Sequence, residues 1–158
     1  MLDNFWLKKI NNKKILEIKR LKGGVSSEVY KAKTTNNTYC IKRALPKLLV
    51  KKDWYVKTNR IKYEYLWLKH CKKLLPKNIP KIYKFDEKSK YLILEYLNEK
   101  KFLNLKSEFL KGKINHQLIN KISKNLSFIH NNSMKKNIEK KFSPNFRNFY
   151  DLRLDAYF

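Results

Sequence analysis

The order in which two hydrophobic periods replace one another constrains this chain more than any other feature. Apolar or aromatic residues alternate with polar ones in three short runs, ILEIKRL at 15–21, VYKAKT at 29–34 and TYCIKRA at 38–44, and Asn36 and Asn37 are placed to turn between the last two. From 57 to 75 the period becomes helical. Ile61, Tyr65, Leu68 and Lys72 recur on one side, Trp67 and Leu74 widen the stripe, and Pro76 ends it. Pro80 then opens KIYKFD at 81–86, EKSK turns the chain, and YLILEYL at 91–97 reads as a buried strand. The order β-β-β-α-β-β predicts an α+β unit that ends near residue 97.

Beyond it the apolar pattern lapses between Asn98 and Lys113, a linker with a short helix and Gly112, and resumes in NHQLINKISKNLSFIHNNS at 115–133. Leu118, Ile119, Ile122, Leu126 and Ile129 are expected on one face of this second long helix, which must pack on something. The division expected is therefore 1–97 and 98–158. The first residues, MLDNFWLKKINNKK, lack the ~7–15 apolar residues of a signal sequence, and no segment has the ~20 needed to span a bilayer, which predicts a cytoplasmic protein without membrane contact. Cys40 and Cys71 stand alone, and neither forms a C-x-x-C pair or a metal-ligand cluster with His70, His116 or His130, so packed, reduced thiols are expected and no metal site.

A net charge of +25 raises nucleic acid as a partner. Only Arg20, Arg43, Arg60, Arg147 and Arg153 among the 38 basic residues are arginines, however, and the lysines are spread along the whole chain. Arginine is the residue that forks onto phosphates and guanines, so this excess reads as a solvated lysine surface.

Two of the three glycines are adjacent, in LKGGVSSEVYKA at 21–32. Gly23 and Gly24 between two strands make either a tight hairpin turn or a turn whose bare amides accept a phosphate, to which Ser26 and Ser27 would add hydroxyls. It is not a Walker loop, because no Gly-Lys-Ser/Thr follows and a strand comes next. Lys42 shares a face with Cys40 on the following strand, within reach of that turn. Glu64 falls on the apolar stripe of the helix beside Tyr65, and a carboxylate buried there needs a cation.

These stretches, with CIKRALPKLLVKKDWY, NRIKYEYLWLK, IPKIYKFDEKSKYLILEYL, KSEFLKGKIN, SFIHNNS and FYDLRLDAYF, resemble in order the aminoglycoside phosphotransferase and choline-kinase-like family of small-molecule kinases, from about Ile15 to Phe158. The resemblance implies a protein-kinase-like N-terminal lobe, an antiparallel five-stranded sheet with one long helix, followed by the start of a helical second lobe. It also implies ATP and Mg²⁺ as cofactors and a small-molecule hydroxyl as phosphate acceptor. On that resemblance Gly23, Gly24, Ser26 and Ser27 form the nucleotide loop, Lys42 orients the phosphates, and Glu64 is its partner. Glu95, Tyr96 and Leu97 are the hinge whose backbone bonds adenine, and Val29 and Ile41 are candidates for framing the base. Asp53, Trp54 and Arg60 lie in a matching stretch without an assigned role.

The resemblance breaks at the chemistry. No histidine is followed two residues later by aspartate, so the H-x-D-x-x-x-x-N catalytic loop of such kinases is missing, as is the later Mg²⁺-binding aspartate. Asp151 and Asp155, four apart, could share a helical face, but pairing with Arg153 or solvent is the ordinary fate of such acids. The expectation is the front portion of a kinase, inactive by itself. Two rivals are a non-catalytic nucleotide-binding module and a basic nucleic-acid binder.

Overall fold

The computed structural model describes residues 7–22 and 24–154. Strands β3 (Glu17–Leu21), β4 (Ser27–Lys33), β5 (Thr38–Ala44), β6 (Ile82–Asp86) and β7 (Tyr91–Glu95) form one antiparallel sheet in the order β3-β4-β5-β7-β6. The fold is α+β. β5 occupies the 38–44 run, because its alternation separates Tyr39 and Ile41, both buried, from Cys40, Lys42 and Ala44 on the other face.

The first face carries a core of Ile10, Ile15, Ile18, Ala32, Tyr39, Ile41, Tyr91 and Ile93. It is covered by a two-strand ribbon, β1 (Lys9–Ile10) and β2 (Lys13–Lys14), that sequence reading missed. Its signal was present in Asn11-Asn12: both residues adopt positive φ (49° and 63°), as a two-residue hairpin with right-handed strand twist requires, and asparagine tolerates this better than most residues.

On the second face α1 (Arg60–Leu74) buries Ile61 against Ala44 and Leu92, with Tyr65, Leu68, Ile82, Phe85 and Leu94 around them. Tyr65 stacks on Phe85 with ring centres 4.6 Å apart. The helix is shorter at its start than the 57–75 expected, because Lys57–Asn59 are used as a turn whose carbonyls receive the first helical amides and the Arg60 side chain. Asp86 closes the β6–β7 turn by accepting from the Ser89 amide (2.8 Å); that bond, with Lys84 nearby, holds its carboxyl below the usual range although burial acts the other way.

After β7 come α2 (Leu105–Leu110), α3 (His116–Ser133), α4 (Lys136–Phe142), a 3₁₀ turn, α5 (Phe146–Phe149) and a π turn over Tyr150–Leu154. Asn104 and Asn115 cap α2 and α3 by accepting from Ser107 and Leu118 amides. Gly112 (φ 73°) ends α2 in a left-handed residue, with Lys113 N–H on Glu108 C=O and Gly112 N–H on Phe109 C=O. The single apolar face expected on α3 is divided: Ile119 and Ile129 are half-buried, whereas Leu118, Ile122 and Leu126 are exposed. Among the described residues no helix is long and apolar enough to cross a membrane.

Candidate nucleotide site

Strand register builds the site. Leu21, Val29, Lys42 and Leu92 are consecutive partners across β3, β4, β5 and β7, and so form one row on the face that carries α1. The glycine turn begins one residue beyond Leu21, which sets it about 10 Å, two strand spacings, from Lys42. Gly23 lies outside the described residues. Gly24 is not left-handed; a Cβ there would sit 3.3 Å from the Ser27 carbonyl oxygen, so close backbone approach is what favours glycine at this position. Gly24 and Val25 are exposed and Ser26 is half-buried. Ser27 corrects its expected role, since it is buried as the first residue of β4 and does not present its hydroxyl at the surface.

Lys42 Nζ lies 2.8 Å from each carboxylate oxygen of Glu64. The residue types thus meet as the sequence anticipates, but the burial does not: the side chains keep 30% and 34% of their exposure. Glu64 sits at the edge of the packed stripe, where α1 turns toward an open cavity of about 640 Å³ lined by Arg60, Tyr63, Trp67, Ile138 and Phe142. An ammonium has three N–H donors, and with two directed at Glu64 one remains for an incoming anion. Cys40 shares the Lys42 face, and its thiol is pushed up chiefly by burial, with Glu64 adding and Lys42 opposing, so it stays protonated and unreactive. Ile41 lies on the opposite face, fully buried in the ribbon-covered core, and cannot frame a base; Cys40 and Val29 occupy the face where one would lie.

Three residues beyond Leu92, at the far end of β7, Glu95 donates its amide to Lys81 C=O (2.8 Å) and accepts the Lys81 amide on Oε2 (2.9 Å). The Lys31 ammonium rests over the Tyr96 ring, 4.9 Å from its centre, and Leu97 is exposed. The span from Lys42 to this end of the strand is about 10 Å at strand rise.

Of the residues without an expected role, Asp53 pairs with Lys47 at 2.5 Å and Trp54 C=O accepts the Leu48 amide. Arg60 binds three backbone carbonyls, described below. Asp151 pairs with Arg147 (2.7 Å) one helical turn earlier, correcting the expected Arg153, and Asp155 lies outside the described residues. Among the described residues no three His, Cys, Asp or Glu gather as a metal site.

At the back of α1, His70 Nε2 lies 3.0 Å from Ser133 Oγ on α3. That hydroxyl donates to the Ile129 carbonyl, so Nε2 carries the proton and the ring is the donor. Burial, then Lys141 and Lys73, push the imidazole below its ordinary value of 6.5. Protonation would keep the bond but add a third cation beside two lysines. Because the unfolded chain then binds the proton more readily, this part of the stability is complete above pH 6.5 and is lost as pH falls through 6.5 toward the lower folded value. Thermal melts should therefore show a lower melting temperature at about pH 5.5 than at about pH 7.5, with a smaller drop in His70→Gln; equal drops would remove His70 from the acid response.

No model of a known protein family matches the chain, and a search of the curated proteins finds no relative.

Proposed function

We propose that residues 1–97 are the nucleotide-holding lobe of a kinase-like, ATP-dependent phosphotransferase acting on a hydroxyl of a small molecule, with 98–158 opening a helical second lobe. The observation that carries this reading is the Lys42–Glu64 pair, 2.8 Å apart, with Lys42 on the same row of the sheet as Leu21 and Val29, the row next to the glycine turn, and Glu64 on α1. ATP suits what is present: a turn in which a Cβ at Gly24 would crowd the backbone, an ammonium with a donor left over, and an apolar strip of Val29, Cys40 and Leu94 leading to Glu95–Leu97. Bound ATP would supply the phosphoryl group; these residues would orient and neutralise its phosphates. The described residues offer no ligand cluster for Mg²⁺, so no step is assigned to the metal. The 158 residues also contain no H-x-D, so transfer is proposed for a protein that includes that loop, and nucleotide binding for these residues.

A non-catalytic nucleotide-binding module is the second reading, supported by that same missing loop; both readings expect these 158 residues to bind ATP without moving phosphate, and transfer by a protein that carries the loop separates them. The expected result for ATP in magnesium buffer is saturable binding with a Kd within the ~1 µM–1 mM range of enzyme sites, competed by ADP. Binding of duplex DNA that falls steeply with salt, together with no ATP binding at millimolar concentration, would replace this reading with the basic nucleic-acid binder.

A further inference from the structure

Arg60 is placed where a helix disfavours it. It is the first residue of α1, a cation at the positive end of the helix dipole, and no acidic residue stands in the first turn. What offsets this lies outside the helix. Its Nη2 donates to the carbonyls of Ser26 and Leu45 (2.8 Å to the latter), and its Nη1 donates to the carbonyl of Lys57 (2.6 Å). Those acceptors belong to three segments: the exit of the glycine turn, the residue after β5 and the entry to α1. The Ser26 carbonyl also accepts the Leu45 amide, and the Val25 carbonyl accepts the Leu49 amide, so the turn is tied to the chain leaving β5 at successive residues. Glu64 follows one turn later on α1, its charge supporting the guanidinium against the effect of burial.

Resting on the nucleotide reading above, we propose that Arg60 is a positioning residue for the phosphate end of the site. Its planar fork ties the exit of the glycine turn, at Ser26, to the helix that carries Glu64, the partner of Lys42. With the Ser26 carbonyl drawn to α1, the exit of the turn cannot swing away from that helix without giving up bonds to the guanidinium. A lysine at position 60 keeps the charge but lacks the fork that reaches three separated carbonyls. The base end, about 10 Å along the strands at Glu95–Leu97, is not touched by any of these bonds.

The test separates a general staple from a phosphate-end device. Affinities of ATP, ADP and adenosine are measured by calorimetry for wild type, Arg60→Lys and Arg60→Met, with circular dichroism to confirm folding. ATP and ADP are expected to weaken about 10-fold or more in both variants, and adenosine by less than about 2-fold. About 10 mM guanidinium should restore part of the ATP affinity of Arg60→Met. Equal weakening of ATP and adenosine, or none, overturns the proposal. Amide hydrogen exchange at Leu45 and Leu49, which donate to the Ser26 and Val25 carbonyls, gives a readout independent of ligand: it should quicken in Arg60→Lys while that of β7 is unchanged, and unchanged exchange at these two amides overturns the proposal even where Arg60→Met fails to fold. Wild type that binds neither ATP nor adenosine instead sinks the nucleotide reading, leaving exchange to judge whether Arg60 holds the turn.

Discussion

Replacing Lys42 with methionine is expected to weaken ATP binding by about 10- to 100-fold, the loss of one charge-assisted hydrogen bond, while barely moving the melting temperature. The asymmetry follows from exposure. Lys42 and Glu64 each keep about a third of their side-chain surface in water, so the carboxylate left behind stays solvated and the pair contributes at most about 1 kcal/mol to stability. A bound phosphate has no such recourse, because its partner in the row of Leu21, Val29 and Lys42 would be gone. Calorimetric titration beside a thermal melt reads both quantities. Lys62→Met is the control: Lys62 makes an equally short pair with Glu87 (2.9 Å) on the outer surface, and its loss should leave ATP affinity unchanged. Equal affinities in Lys42→Met and wild type would end the assignment of Lys42 to the phosphates.

Leu92→Ala should produce the largest loss of stability. Leu92 has no exposed surface and lies between the sheet and α1 against Ala44 and Ile61. Truncating such a residue removes apolar burial and leaves a cavity, at a cost of about 2–5 kcal/mol. At roughly 2–4 °C per kcal/mol for a chain of this size, the melting temperature should fall by about 5–15 °C. Leu118→Ala, the same chemical change on the exposed side of α3, should shift it by no more than about 2 °C. Similar shifts for the two variants would mean that α1 is not seated on the sheet as described.

The two predictions draw on information of different origin. Alternation in TYCIKRA is a property of neighbouring residues, and β5 occupies that run with Lys42 on the side opposite Ile41. The helical stripe ended by Pro76 likewise becomes α1, and 115–133 becomes α3 within one residue. Periodicity put a carboxylate, Glu64, on an apolar stripe where it needs a cation, but the choice of Lys42 among the chain's many lysines came from the kinase resemblance. What failed were statements of depth and side. Ser27 was expected to add its hydroxyl to the glycine turn and is buried, the Lys42–Glu64 pair was expected buried and is partly exposed, and Ile41 was expected near the ligand and faces away. The Asn11–Asn12 ribbon was overlooked because two-residue strands leave almost no period to detect.

Sequence alone determined the succession of strands and helices in this protein and which residue types were available for a site, because periodicity is set by neighbours two to four positions apart. Only the tertiary structure decided how deep the site lies and what holds it: the bonds that place it join residues 22 apart for Lys42 and Glu64 and 34 apart for Ser26 and Arg60. At such separations no local pattern records which surface a neighbour will cover, and exposure, which decides whether a charge pair stabilises the fold or serves a ligand, is settled only when the chain packs.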